Sequence, residues 1–373
     1  MTFLTQVILS HFRCYESARL DGLPPGLIVL TGPNGAGKTN ILEAVSLLTP
    51  GRGMRAATME EIQRRESAHP WAIAGHVDTG GADAQIGTGL DPDTGRRIVR
   101  INSALAKSQM ALADYLSCVW LTPHMDRLFT DASGGRRRFL DKLVFTADPG
   151  HAGRVTRYEN AMAQRSKLLR EGRADPGWLS GLEQQMAETG IAIAAARMDF
   201  THRLQRGIEA VEAEEEKFFP KGRLKTIGTL ETLLDNTPAV EVEQMFTYQL
   251  EQSRARDSET GGAATGPHKS DLSVIFAAKN MPADQCSTGE QKALLIGLVL
   301  SHARLMRAET GAAPVLLLDE IAAHLDEARR SALFDRLVHI GGQVFMTGTD
   351  ENLFDAARKT ARFFTVESAR ISS

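Results

Sequence analysis

The stretch Gly32-Pro-Asn-Gly-Ala-Gly-Lys-Thr39 has the spacing G-x-x-x-x-G-K-[ST], with which a chain can cradle phosphate. Glycines at these positions let successive backbone N–H groups turn inward around phosphate oxygens, and the start of a following helix adds a positive dipole. In that arrangement Lys38 reaches the β- and γ-phosphates of a nucleotide and Thr39 holds Mg²⁺. Gly32, Pro33, Asn34, Gly35, Ala36, Gly37, Lys38, Thr39 and Asn40 are therefore the expected nucleotide contacts, with ATP and Mg²⁺ as the expected cofactors. A second run, Val315-Leu-Leu-Leu-Asp-Glu320, reads as a buried strand ending in two acids. Asp319 is expected to share the metal and the nucleotide site with Thr39, and Glu320 to orient or deprotonate the attacking water as the catalytic base. Alone, such a run is only a strand end; paired with a phosphate loop it acquires chemistry. No G-x-G-x-x-G occurs, which excludes a dinucleotide-binding reading of the loop.

The loop needs a strand before it and a helix after it, and the pattern supplies both. Leu27-Ile-Val-Leu30 is a short buried-strand run, and Asn40 to Leu48 carries apolar residues at helical spacing. Alternation at Phe3, Thr5, Val7 and Leu9 predicts an N-terminal hairpin or meander, and Trp71–Val77, Ala84–Leu90, Arg97–Ile101 and Cys118–Leu121 read as further strands. From about Ser133 to Arg256 the chain reads as mostly helical. Leu179, Leu182, Met186, Ile193, Phe200, Leu204 and Val211 lie close to a 3.5-residue period, a coiled-coil-like seam. A helix from Leu179 to Lys217 would be roughly 55–60 Å long at 1.5 Å per residue, and the acidic run Glu212, Glu214, Glu215, Glu216 is expected on a solvated face. After the glycine-rich stretch Glu259 to Gly266, strands and helices alternate again through Leu272–Phe276, Val315–Leu318 and Gln343–Thr347, which predicts a mostly parallel sheet covered by helices. The expected organisation is a head built from residues 1–125 and 262–373, with residues 126–261 as an inserted helical arm.

A third motif, Cys286-Ser-Thr-Gly-Glu-Gln-Lys292, precedes a long helix and lies upstream of the acidic strand. Ser287 followed by Glu290 makes a capping box. The same residues resemble the signature of ABC-type ATPases, and Ala322-Ala-His-Leu-Asp326 resembles their D-loop. The resemblance implies an α/β fold, an ABC-type ATPase head of mixed sheet layers and packed helices assembled from both chain ends, with an inserted α-helical arm. It also implies that Ser287, Gly289, Glu290, Gln291 and Asp326 join the nucleotide site, with the signature of one subunit completing the site of another.

A head split by a helical insertion is similar to the structural-maintenance-of-chromosomes group. Within that group Leu9-Ser-His-Phe-Arg13, the stretch Gly32 to Arg55, Arg136-Arg-Arg-Phe-Leu-Asp141 and Gly266-Pro-His-Lys-Ser-Asp-Leu272 resemble the RecF family. The arm is short and carries no Cys-x-x-Cys hook. This resemblance implies a DNA-binding ATPase of replication, recombinational gap repair and the SOS response. Such a protein forms a homodimer on ATP, clamps DNA (single strands or single/double-strand junctions), releases it on hydrolysis and works with RecR and RecO to load recombinase. The histidine that ABC proteins often carry after the last core strand is absent from Phe345-Met-Thr-Gly-Thr349, and no Q-loop glutamine stands near Pro123, which implies a slow ATPase acting as a switch rather than a fast motor. Arg136, Arg137 and Arg138 are candidate DNA contacts, with Arg154, Arg157, Arg165, Lys167 and Arg170 as a second patch.

Composition bounds the rest. With 373 residues, 42% of them hydrophobic, and a formal net charge of -3, any nucleic-acid role must rest on local basic patches. Cys14, Cys118 and Cys286 match no metal spacing and read as free thiols. No secretory signal is visible, and the run Ala293 to Leu300 is far short of the ~20 residues that span a bilayer, so a cytoplasmic protein is expected. The phosphate loop and signature also fit a nucleotide-binding subunit of a membrane transporter; the inserted arm and the missing histidine favour the DNA clamp. The intact Glu320 argues against a non-hydrolysing scaffold.

Overall fold

A computed structural model of the chain describes residues 2–172, 175–211 and 216–373. They form two compact units. The first holds the residues through Asp126, a short piece ending at Phe219, and Leu298–Ser373; the second holds Arg127 through the long central helix, and Pro220–Gly297.

In chain order the strands are β1 (Phe3–Phe12), β2 (Tyr15–Asp21), β3 (Leu27–Thr31), β4 (Ala72–Asp78), β5 (Asp83–Leu90), β6 (Arg97–Ile101), β7 (Ala104–Leu105), β8 (Cys118–Leu121), β9 (Gly222–Ile227), β10 (Asp271–Phe276), β11 (Met281–Pro282), β12 (Val315–Leu318), β13 (Val344–Gly348), β14 (Ala361–Glu367) and β15 (Arg370–Ser372). The first unit carries two sheets. One runs β15-β14-β3-β13-β12-β8 and is parallel except for β15; the other is antiparallel, in the order β2-β1-β4-β5-β6-β7. Every residue of β3, β12 and β13 is buried, which is why these segments read as apolar runs, with a hydroxyl only near the ends of β3 and β13, rather than as alternation. Helix α1 (Lys38–Leu47), followed in the chain by the short α2 (Met59–Ile62), touches both β1 and β13, and Ile41, Leu42 and Val45 of α1 join residues of both sheets in one core. Gln343, buried at the foot of β13, ties the sheets further. Its Oε1 accepts from Leu4 N–H (2.9 Å), and its Nε2 donates to the carbonyls of Leu4 (2.7 Å) and Pro24 (2.9 Å). Strands from both chain ends thus interleave in one sheet.

The second unit packs α3 (Ser133–Ala147), α4 (Gly150–Glu171) and α5 (Pro176–Glu209), with shorter helices at Thr229–Leu234, Ala239–Gln252 and Arg254–Thr260, around a small antiparallel sheet in the order β11-β10-β9. Three expectations are corrected here. The residues on the 3.5-residue period, Leu179 through Leu204, are buried, but they face α4, the Ala239–Gln252 helix and β9 rather than a coiled-coil partner. The helix also ends at Glu209, 34 residues long, or ~51 Å at 1.5 Å per residue. Of the acidic run, Glu212, Glu214 and Glu215 lie outside the described residues. Nor is the region helical throughout: β9 pairs with β10 across Asp271↔Ile227 to Phe276↔Gly222. Its Arg223 and Lys225 hid it from a reading by apolar runs, although Leu224 and Thr226 alternate with them. At the centre Arg165, fully buried, donates to Glu183 (2.9 Å), Asp257 (2.8 Å) and the Leu250 carbonyl (2.6 Å), which pins α4, α5 and the segment 250–257 together. Among the described residues no helix is long and apolar enough to cross a membrane.

Candidate functional site

Local geometry builds the phosphate loop first. β3 stops at Thr31, and the backbone then takes positive φ at Gly32 (141°), Gly35 (79°) and Gly37 (113°), angles that side chains resist. Two of these glycines are also hemmed in. A Cβ on Gly32 would lie 2.0 Å from the Val366 carbonyl oxygen, and one on Gly37 would lie 2.6 Å from the Tyr15 hydroxyl and 2.8 Å from Cys14 Sγ. The C-terminal hairpin β14–β15 props the loop, with Ala369 N–H donating to the Ala36 carbonyl (3.2 Å). Helix α1 begins at Lys38 with no side-chain cap on its first turn, so its leading N–H groups stay open toward an anion. Lys38 is buried, and its Nζ donates to the carbonyls of Gly32 (2.6 Å) and Pro33 (2.9 Å). Burial pushes its pKa below the ordinary lysine value, while the nearby Glu320 and Asp319 carboxylates act against that shift.

Strand order brings the acids to this loop. β13 lies between β3 and β12, and all three run parallel, so their C-terminal ends share one edge, where open α/β sheets hold ligands. Thr39 Oγ1 donates to Asp319 Oδ1 (2.9 Å). The same oxygen accepts from Thr347 Oγ1 (2.8 Å), and Thr347 Oγ1 in turn accepts from Glu320 N–H (2.9 Å). Glu320 is left-handed (φ 54°), a conformation that costs a non-glycine residue roughly 1–2 kcal/mol and persists where neighbours hold it. The Thr39 hydroxyl and the Asp319 carboxylate, both hard oxygen donors, suit Mg²⁺, which takes one or two carboxylates and leaves its other positions to phosphate and water. Groups of three or more His, Cys, Asp or Glu side chains able to hold a metal are absent among the described residues.

A supporting layer went unseen in the sequence. Glu43, buried on α1, accepts from Arg13 through both oxygens (2.6 and 2.9 Å) and from Arg55 (3.1 Å). Arg55 also donates to Asn40 Oδ1 (2.9 Å), and Asn40 Nδ2 meets Cys14 Sγ (3.2 Å). The side chain of Asn40 thus helps to fix α1. Thr347 was missed as well: a histidine was sought in its stretch, whereas the available signal was a hydroxyl at the end of a buried strand.

In the second unit, the signature residues stand at the start of the helix Thr288–Thr310. Ser287 N–H (3.0 Å) and Oγ (2.9 Å) both donate to Glu290 Oε2, and Lys279 pairs with its other oxygen. These partners, Lys279 first, pull the Glu290 carboxyl down to about 2. Gln291 is buried and donates to the Cys286 carbonyl (2.8 Å). Glu290 and Gln291 therefore brace the turn, while Ser287 and Gly289 stay exposed. Asp326, also exposed, caps its helix by accepting from Arg329 N–H (2.8 Å).

The three arginines of α3 part company. Arg136 grips both oxygens of Asp271 (2.8 Å each) and donates to the carbonyls of Leu128 (3.4 Å), Phe129 (2.9 Å) and Asp131 (2.6 Å). Its donors are committed inside the unit. Arg137 donates to Ser133 Oγ (3.1 Å) and the Ser270 carbonyl (2.8 Å), whereas Arg138 is exposed. In the second patch Arg165 is the buried hub described above, which leaves Arg157, Lys167 and Arg170 on the surface. The stretch Gly266–Leu272 is tied at almost every residue. Arg197 holds the Pro267 carbonyl (2.6 Å), Tyr158 meets His268 Nδ1 (2.7 Å), Arg137 holds Ser270 and Arg136 holds Asp271; Lys269 faces solvent.

Residues 3–372 match the family model described as the RecF/RecN/SMC N terminal domain. Over 370 residues the chain is 50% identical to the DNA replication and repair protein RecF of Rhizobium johnstonii, covering 99% of this chain and 98% of that protein. The chain belongs to the RecF family. The RecF of Agrobacterium fabrum is 48% identical over 374 residues, covering 99% and 98%. A solved structure of the recombination mediator RecF with ATP, in the RecFOR pathway, superposes with a TM-score of 0.86 at 21% identity, covering 100% of this chain and 97% of that one. The Smc head from Pyrococcus furiosus superposes with a TM-score of 0.57 at 16% identity, covering 100% and 96%. The expected fold class, an α/β ABC-type head built from both chain ends, is the fold that RecF shares with these heads, and the transporter alternative finds no support among them.

Proposed function

We propose that this RecF-family chain is an ATP-driven DNA clamp of replication, gap repair and the SOS response. The relay Thr39–Asp319–Thr347–Glu320 at the mouth of the phosphate loop carries this reading. Three hydrogen bonds link residues that would bind phosphate, hold a metal and prepare water. Loop N–H groups and Lys38 would hold the ATP phosphates. Mg²⁺, held by Thr39 and Asp319, would supply charge neutralisation at the phosphates. Glu320 would take the proton of the attacking water from a fixed backbone. Ser287 and Gly289, exposed at a braced helix start, would reach the γ-phosphate in a second copy, and Asp326 would join that shared site, so that ATP joins two heads. Closed heads would grip DNA (single strands or junctions) through exposed basic residues such as Arg138, and hydrolysis would open them. A threonine in place of the switch histidine suits slow turnover. RecR and RecO are the proposed partners in loading recombinase, in the cytoplasm.

Sedimentation of wild type and Ser287→Arg with ATP tests the shared site. Wild type should dimerise only with ATP, whereas the variant should bind ATP and remain monomeric. An ATP-dependent dimer in the variant would refute a site completed by the signature.

A further inference from the structure

Thr347 has no assigned role, yet it touches both halves of the acidic pair. Strand pairing dictates its place. Met346 is opposite Leu318, the last residue of β12, so Thr347 falls one step beyond and lies against residues 319 and 320. On its other side it is opposite Leu30 of β3, one residue short of the end of that strand. Its side chain is 1% exposed. The hydroxyl has one proton, which goes to Asp319 Oδ1 (2.8 Å), and a lone pair, which accepts from Glu320 N–H (2.9 Å). Because Thr39 Oγ1 also donates to Asp319 Oδ1 (2.9 Å), that oxygen takes two hydroxyl donors, and Oδ2 is the oxygen left for a cation. Thr349, two residues on, is exposed and makes no such link.

We infer that Thr347 is a positioning residue that fixes the Asp319 carboxylate for the metal and the Glu320 backbone for the base as one unit. The inference rests on the ATPase reading of the site and adds a specific consequence: a single hydroxyl couples metal affinity to the hydrolytic step. Removing it takes one of two hydroxyl donors from the Asp319 carboxylate and leaves the partly buried Glu320 N–H without this acceptor. Both changes weaken the site while the phosphate loop stays intact.

The test compares Thr347→Val, which keeps shape and loses the hydroxyl, with Thr347→Ser, which keeps the hydroxyl. ATP hydrolysis and the binding of a fluorescent ATP analogue are each followed across a Mg²⁺ titration. For the valine variant, kcat should fall about 10- to 100-fold and the Mg²⁺ midpoint should rise about tenfold, the usual effect of losing a partner of a metal ligand. Its KM for ATP should change little, and the serine variant should behave like wild type. Thr347→Ala, with the same expected loss, replaces the valine variant should that fail to fold. Wild-type kcat and Mg²⁺ midpoint in the valine variant overturn the inference. So does a serine variant impaired as much as the valine one, since that pattern marks packing rather than hydrogen bonding. A wild-type protein that binds nucleotide with Mg²⁺ but never hydrolyses it overturns the ATPase reading alone, and the Mg²⁺ midpoint for binding then decides the role of Thr347.

Discussion

Replacing Lys38 with methionine should abolish tight nucleotide binding while leaving the empty protein folded. In the structure the ammonium is buried and makes two charge-assisted hydrogen bonds, to Gly32 O at 2.6 Å and Pro33 O at 2.9 Å. Each such bond contributes about 1.5–3 kcal/mol, and a buried ammonium carries a desolvation penalty of several kcal/mol. Methionine of similar length gives up both at once, and the two carbonyls sit on a loop that water reaches. The net change in stability without nucleotide is therefore expected within about 1 kcal/mol, or a few degrees in Tm at most for a unit of this size. With ATP the balance differs, because the ammonium would then give the same bonds to phosphate oxygens, which methionine cannot replace. Losing them removes at least about 3 kcal/mol, roughly two decades in Kd. Thermal melting without nucleotide and equilibrium titration with a fluorescent ATP analogue measure the two halves separately. Wild-type affinity in the folded variant would remove Lys38 from the phosphate site, and a collapse of the empty protein would show that its role is structural.

Glu320→Gln keeps the Glu320 N–H bond to Thr347 but loses the base, so steady-state hydrolysis should fall by about two decades or more, with ATP affinity kept and the ATP-bound dimer accumulating in sedimentation; unchanged turnover rejects the role. In DNA anisotropy across salt, Arg138→Ala should lower the slope of log affinity against log salt by about 0.9 for duplex or 0.7 for single strands. Arg136→Ala, whose guanidinium is spent on Asp271 and carbonyls, should lower Tm and leave the slope unchanged; the reverse pattern refutes the assignment. Asp141 gives a pH signature. Burial works to raise its pKa, but hydrogen bonds from His151 and Arg197 outweigh that and leave it lowered. Its contribution to stability is therefore present above the ordinary aspartate pKa, about 3.9, and is lost as pH falls through the depressed value. Asp141→Asn should flatten that acid limb of the unfolding curve, and an unaltered limb would refute the assignment.

Contiguous features were legible in the sequence alone. The phosphate loop needs only the φ freedom of Gly32, Gly35 and Gly37, an apolar strand before it and a helix after it, and all of these are written within a few residues of each other. The capping box at Ser287 and Glu290 is local for the same reason, and the family resemblance rests on such motifs taken in order. Tertiary structure decided whatever depends on which strands become neighbours. Thr39 and Asp319 are 280 positions apart, and only the order β3-β13-β12 joins them and inserts Thr347 between. Arg136 and Arg138 look alike in sequence; the pairing of Arg136 with Asp271, 135 positions away, makes one an internal strut and leaves the other at the surface. The 3.5-residue seam was read as a coiled coil because periodicity reports that a helix face is buried without naming what buries it. Here that face meets α4, the Ala239–Gln252 helix and β9, and the pairing of β9 with β10 is fixed by backbone hydrogen bonds whose partner strand the alternation at Leu224 and Thr226 does not name.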